Sequence, residues 1–295
     1  MMRLKKLCWS DRVFVIIDLL LLTVLLTVIL YPLLYVVASS FSGGYMLQGL
    51  SLIPKKPTLA GYRAVFQDTS IWRGYLNTIL YTCLGTSMAM VVTILCAYPL
   101  SRGEFRFGRV AMALCVFTMY FGGGLIPTYL IVKDTGLMGT VWAMFVPGGL
   151  AVSHMIIARN FFENSIPASL KEAAEIDGAS KMTIFLKIII PLSRPIMAVM
   201  VVFSMVAYWN DWFTALIYMK GSQAPLPLVL RNILIKSSAS ATQASMISGG
   251  YAELNKMTEM IKFASIIAAA APMLVIYPFV QKYFEQGFMA GAVKG

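Results

Sequence analysis

The stretch VFVIIDLLLLTVLLTVILYPLLYVVA, Val13–Ala38, decides the class of this chain. It holds a single ionisable group, Asp18, in 26 residues. About 20 consecutive apolar residues suffice to cross a bilayer as a helix. A basic start (Arg3, Lys5, Lys6) and a small residue near Ala38 would also suit a secretory signal. The apolar run is far longer than a signal core of 7–15 residues, so a retained span is expected.

The rest of the composition agrees. Of 295 residues, 59% are hydrophobic and only 13% are charged, against about 25% charged in ordinary soluble domains. So few charges cannot cover a water-facing surface, and disorder would need the opposite balance. An all-α polytopic membrane protein remains. Six transmembrane helices are expected, at about 13–38, 76–99, 110–132, 141–158, 196–219 and 263–281. The chain is then one transmembrane domain, with an N-terminal tail of 1–12 and a C-terminal tail of 282–295.

The net charge of +11 would suggest nucleic acid in a soluble protein. In a membrane protein it is better read as topology. With the N-terminus inside, fourteen Lys and Arg fall on the inner side and ten on the outer. Most of the outer ones sit in two long loops, 39–75 and 220–261, which translocate largely regardless of charge. Both termini are therefore expected to be cytoplasmic. Cys8, Cys83, Cys96 and Cys115 form no CxxC pair and read as small apolar residues.

The inner segment 159–195 is helical sequence outside any span. Ser169 and Glu172 have capping-box spacing. Ala173, Ala174 and Glu175 favour helix. Gly178 is placed to stop it in a left-handed turn. A second helical piece is expected from Ser180 to Pro191. Small residues (Ala173, Ala174, Gly178, Ala179) leave a shallow surface for another protein, with Glu172 and Asp177 at its rim. A capped amphipathic helix lying on the bilayer fits the same spacing.

The residues EAAEIDGASKMTIFLKIIIPLSRP (Glu172–Pro195) resemble the EAA motif of ABC importer permeases. Ala97–Arg102 (AYPLSR), Gly122–Leu137, Tyr208–Met219 and Lys282–Gly295 are similar to the carbohydrate-uptake, maltose-type (MalG-like) branch. The resemblance spans essentially the whole chain. It implies a type I importer permease fold in a bacterial cytoplasmic membrane. It implies a second homologous permease, two cytoplasmic ATPases and an extracytoplasmic sugar-binding protein as partners. Glu172, Ala173, Ala174, Glu175, Asp177, Gly178 and Ala179 would couple to the ATPase, and the tail 290–295 would reach it. The chain carries no G-x-x-x-x-G-K-[ST] phosphate loop. No cofactor is expected on it, and ATP and Mg would belong to the partner ATPase.

Inside the spans, Asp211 lies about 16 residues into the fifth, roughly 24 Å from its inner end. With Trp209, Asn210 and Trp212 it forms a polar–aromatic cluster, which suits either sugar binding or an interfacial belt. Asn77, Tyr81 and Tyr120 could line a passage or hydrogen-bond between helices. His154 is the one histidine, with no Asp, Glu or Cys at helical spacing, so no metal site is expected. No catalytic constellation is present either. The alternative is a secondary transporter or channel working alone, which would need more intramembrane charge or inverted repeats. The outer loops hold ten basic against four acidic residues (Asp68, Asp134, Glu253, Glu259). That excess favours an acidic oligosaccharide or an acidic binding protein.

Overall fold

A computed structural model describes residues 9–43, 52–54, 56–245, 258–276 and 278. Cys8 and the expected tail contacts at 290–295 lie outside them. The chain divides into two compact units, Met1–Asp68 with Ile233–Ala270, and Thr69–Asn232 with Ala271–Gly295.

The first unit is led by α1 (Trp9–Phe41). At 1.5 Å per residue its 33 residues reach about 50 Å. Its apolar side chains are exposed on all sides, as lipid-facing surface is. Thr23 and Thr27 donate their hydroxyls to the carbonyls of Leu19 and Thr23, so neither hydroxyl faces hydrocarbon unpaired. After it the chain turns back at a single bridge, Ser42 to Pro57. The expected loop 39–75 is not all loop: α2 (Ala60–Gln67) interrupts it. Tyr62 of α2 bonds Ser40 at 2.8 Å and packs its ring on Phe41.

The second unit is built on α3 (Thr69–Leu100). Its buried stripe runs Ile71, Gly74, Thr78, Tyr81, Gly85, Ala89, Thr93 and Ala97, spacings of three and four that keep one helix face inward. That stripe packs on α6 (Val152–Asn164) and α10 (Arg194–Trp209). The approach is close because Gly85 has no side chain: a Cβ there would stand 2.9 Å from the Tyr208 ring.

Between these lie broken helices. α4 (Gly108–Tyr120) and α5 (Leu125–Asp134) meet at 112°. The break falls at Gly122–Gly124, where Gly124 has φ +86, a backbone state that side chains disfavour. The segment 110–132 is therefore not one straight helix. Nor is 141–158: it holds a 3₁₀ turn (Val141–Met144), an irregular stretch and the start of α6. Pro147, Gly148 and Gly149 account for that, since both residue types are poor in helix interiors.

Four short pieces precede α10. α7 (Ala168–Ile176) is followed by α8 (Lys181–Ile184), a π turn (Phe185–Ile189) and α9 (Ile190–Leu192). The piece ends at Leu192, one residue past the expected stop at Pro191. Pro191 offers no N–H, and the chain absorbs this with the wider turn just before it, in which Ile190 N–H bonds Phe185 O. A 74° bend then separates this piece from α10. α10 itself ends at Trp209, and α11 (Phe213–Tyr218) resumes after Asp211, so 196–219 is two helices. α12 (Leu226–Ser245) and α13 (Thr258–Ile276) complete the described chain. α12 replaces much of the expected loop 220–261. Among the described residues α1, α3 and α13 are long and apolar enough to cross a membrane, or five spans if each bent pair counts as one.

Candidate functional site

The segment from α6 to α9 presents its sequence features in three dimensions. α7 starts at Pro167, not at Ser169, and no side chain caps it. The expected capping box is thus not formed, because proline opens the helix two residues earlier and Ser169 lies inside it. Its end is as the glycine suggests. Gly178 has φ +78. Gly178 N–H donates to Glu175 O at 3.0 Å and Ala179 N–H to Ala174 O at 2.9 Å. This pair of bonds is a Schellman motif. Ser180 then caps α8, its hydroxyl accepting from Thr183 N–H.

The faces are now resolved. Ala174 is 8% exposed and packs inward with Ala179 on a core of Met155, Phe162 and Ile184. Ala174 was expected on the shallow outer surface, and the structure corrects this: the helix turns that position toward the protein. Glu172, Ala173, Glu175, Asp177 and Gly178 remain exposed. Ile176 stands 86% exposed at the tip.

What holds α7 in place was not legible beforehand. Lys171, with a half-hidden side chain, pairs with Glu104 from the turn after α3, and with Glu175 at 3.5 Å. Lys181 reaches Glu104 at 3.7 Å. Arg159 Nε donates to Leu100 O at 2.9 Å, tying α6 to the end of α3. Tyr98 sits among Phe162 (5.8 Å), Phe185 (5.0 Å) and the Arg102 guanidinium (5.1 Å). Tyr98 and Arg102 fall in the AYPLSR stretch, but nothing in one sequence links Glu104 to Lys171.

Farther along the same unit is a cleft of about 320 Å³. Polar groups lining it include Thr128, His154, Ser204, Tyr208, Asp211 and Thr214. Asp211 accepts from Thr214 N–H at 3.0 Å and so starts α11. His154 stacks on Phe203, and no metal-holding group of three His, Cys, Asp or Glu occurs among the described residues.

The other pathway candidates are dispersed. Trp209 is buried. Asn210 returns its amide to Val206 O. Trp212 is partly exposed, with the Arg231 guanidinium 4.7 Å from its ring. Tyr120 lines a different groove beside α4. Asn77 donates to Ser222 O (2.8 Å) and Ala224 O (3.1 Å), and Tyr81 to Gln223 O (2.9 Å). Of the two roles open to them from sequence, the structure displays the hydrogen-bonding one, with Tyr81 2% exposed. Thr78 completes this latch by accepting Leu226 N–H at 2.8 Å. Thr78→Val leaves that buried N–H unpaired, at a cost of about 1–3 kcal/mol. Thermal unfolding in detergent should show the loss, and Thr78→Ser should restore it. An unshifted Thr78→Val transition would deny the latch any energetic role.

Residues 58–290 match the family described as binding-protein-dependent transport system inner membrane component. The polygalacturonan/rhamnogalacturonan transport system permease protein YtcP of Bacillus subtilis is 39% identical, over 90% of this chain and 92% of that protein. The galactooligosaccharides transport system permease protein GanQ of the same organism is 28% identical, over 94% of each. A chain from the crystal structure of a bacterial ABC transporter involved in the import of the acidic polysaccharide alginate superposes with TM-score 0.82. It is 31% identical, with 94% of this chain and 99% of that one covered.

Proposed function

This chain belongs to the family of binding-protein-dependent transport system inner membrane components, and from that premise we infer that it carries acidic oligosaccharides inward by alternating access. It is an all-α, multi-pass membrane protein and the permease subunit of an ABC importer for carbohydrates. It is not the catalytic subunit: hydrolysis of ATP is done by the partner ATPase. A transporter working alone is thereby set aside.

The chain crosses a bacterial cytoplasmic membrane six times with both ends inside, and pairs with a second permease. Two ATPases, holding ATP and Mg, receive the exposed face of α7 and its turn, Glu172, Ala173, Glu175, Ile176, Asp177 and Gly178. An extracytoplasmic binding protein delivers the substrate. Closure of the ATPases moves α7. The motion is passed on through Lys171–Glu104 to α3, and through the π turn to α10 and the cleft at Asp211. The observation that carries this reading is α7 itself, an exposed helix end pinned from beneath by an ion pair and stopped by a left-handed glycine.

For the substrate class, support comes from the relative named for polygalacturonan and the alginate importer, and from the basic outer loops. Arg231 beside the exposed Trp212 ring adds a cation where a uronate carboxylate could be taken. Uptake by the reconstituted importer, with its binding protein, should be at least tenfold faster for oligogalacturonate than for a neutral maltooligosaccharide. Equal rates, or transport of the neutral sugar alone, would remove the acidic assignment.

A further inference from the structure

A groove of about 950 Å³ runs beside α4. Its polar end holds four arginines, Arg102, Arg106, Arg109 and Arg159, and one acid, Glu163. Glu163 is spent on Arg159, at 3.0 Å. Among the described residues Arg106 and Arg109 enter no ion pair. Nε and Nη2 of Arg102 are buried and have no hydrogen-bond partner. Burying a charged donor without an acceptor is unfavourable, so the guanidinium cluster is missing an anion. The remainder of the groove is apolar, with Met112, Val116 and Phe117 on its wall. None of the residues of α4 is buried.

An anion alone would satisfy the arginines and leave the apolar wall unused. A molecule with an anionic head and a hydrocarbon tail satisfies both. Guanidinium forks match phosphate oxygens in paired hydrogen bonds, and basic pockets between membrane helices suit anionic headgroups. We propose that this groove is a binding site for an anionic phospholipid, its phosphodiester held by Arg102, Arg106 and Arg109 and one acyl chain laid along α4. Arg102 also lines the hollow shared by Tyr98 and Lys171, so the bound headgroup touches the base on which α7 is pinned.

The test uses the purified importer, equilibrated in vesicles with equal parts phosphatidylglycerol and phosphatidylcholine and examined by native mass spectrometry. Phosphatidylglycerol should be retained over phosphatidylcholine. Arg106→Gln/Arg109→Gln should lower that retention roughly 25-fold, about fivefold for each cation at about 1 kcal/mol. Arg106→Lys/Arg109→Lys should keep most of it. Lys133→Gln/Lys220→Gln, an equal loss of charge elsewhere, should leave it unchanged. A wild-type complex without preference between the lipids overturns the proposal. So does retention unaffected by the arginine pair, or displacement of the lipid signal by inorganic phosphate alone. If the double variant does not assemble, hydrogen exchange of wild-type residues 108–120 decides. Protection in phosphatidylglycerol but not phosphatidylcholine discs supports the site. Equal protection in both means that a protein partner covers the groove, and overturns it.

Discussion

Gly178→Val should cost the importer about 5–30-fold in binding-protein-stimulated uptake, with the protein still inserted and folded. At φ +78 the backbone suits glycine. A Cβ there would meet nothing within 4 Å, so the penalty is conformational rather than steric. Left-handed backbone costs an ordinary residue about 1–2 kcal/mol, and a β-branched one is less tolerant still. The turn escapes this strain by giving up the bonds from Gly178 to Glu175 and from Ala179 to Ala174. Ile176 and Asp177 then leave the geometry in which we propose the ATPase receives them, and restoring it costs that 1–2 kcal/mol, about a 5–30-fold effect. Gly178→Asn should be milder than Gly178→Val, since asparagine tolerates this region better. Stimulated ATP hydrolysis and uptake in proteoliposomes are the readouts. Wild-type values for Gly178→Val would sink the coupling role of this turn.

Ile176→Asp should weaken association with the ATPase by about 10–100-fold. An isoleucine exposed to 86% in so short a helix contributes nothing to this chain's own core. Fully buried in a partner's cleft it is worth about 1.5–3 kcal/mol, and each 1.4 kcal/mol is about a factor of ten. The substitution also asks the cleft to accept a carboxylate. Ala174→Leu is the contrasting variant. Its side chain points into the core around Phe162 and Ile184, where overpacking costs about 1–3 kcal/mol. The thermal transition of the permease should drop for Ala174→Leu and hold for Ile176→Asp. Co-purification of the ATPase should fail for Ile176→Asp. Undiminished co-purification with that variant would place the docking face elsewhere.

The two variants also mark what could be read from residue types. Gly178 was legible because a glycine just past a run of strong helix formers is the usual left-handed stop. The orientation of Ala174 against Ala173 was not. Both are alanine, and a nine-residue helix without a strong apolar stripe does not say which face turns in. The same holds for Asn77 and Tyr81. Their types permit a passage lining or a latch, and the choice rests on carbonyls of Ser222, Gln223 and Ala224, about 145 residues away in sequence.

The helix breaks divide in a similar way. Gly122–Gly124 and Pro147–Gly149 announce weak helix, but the 112° turn at the first is a matter of how α4 and α5 settle. Pro191 marks a real break as well: a π turn before it takes up the missing N–H, the helix ends one residue later at Leu192, and a 74° bend follows.

By itself the sequence determined that lipid is the solvent, that the chain is helical, and that an outlying helical segment stopped by a glycine resembles an ATPase-coupling motif. These follow from composition, run length and local backbone preference, each a property of neighbouring residues. Tertiary structure alone decided which side of α7 is offered, that Lys171 and Glu104 anchor it, and that four arginines gather beside an apolar groove. Those depend on residues far apart in the chain being brought together, and on which polar groups find partners once they are.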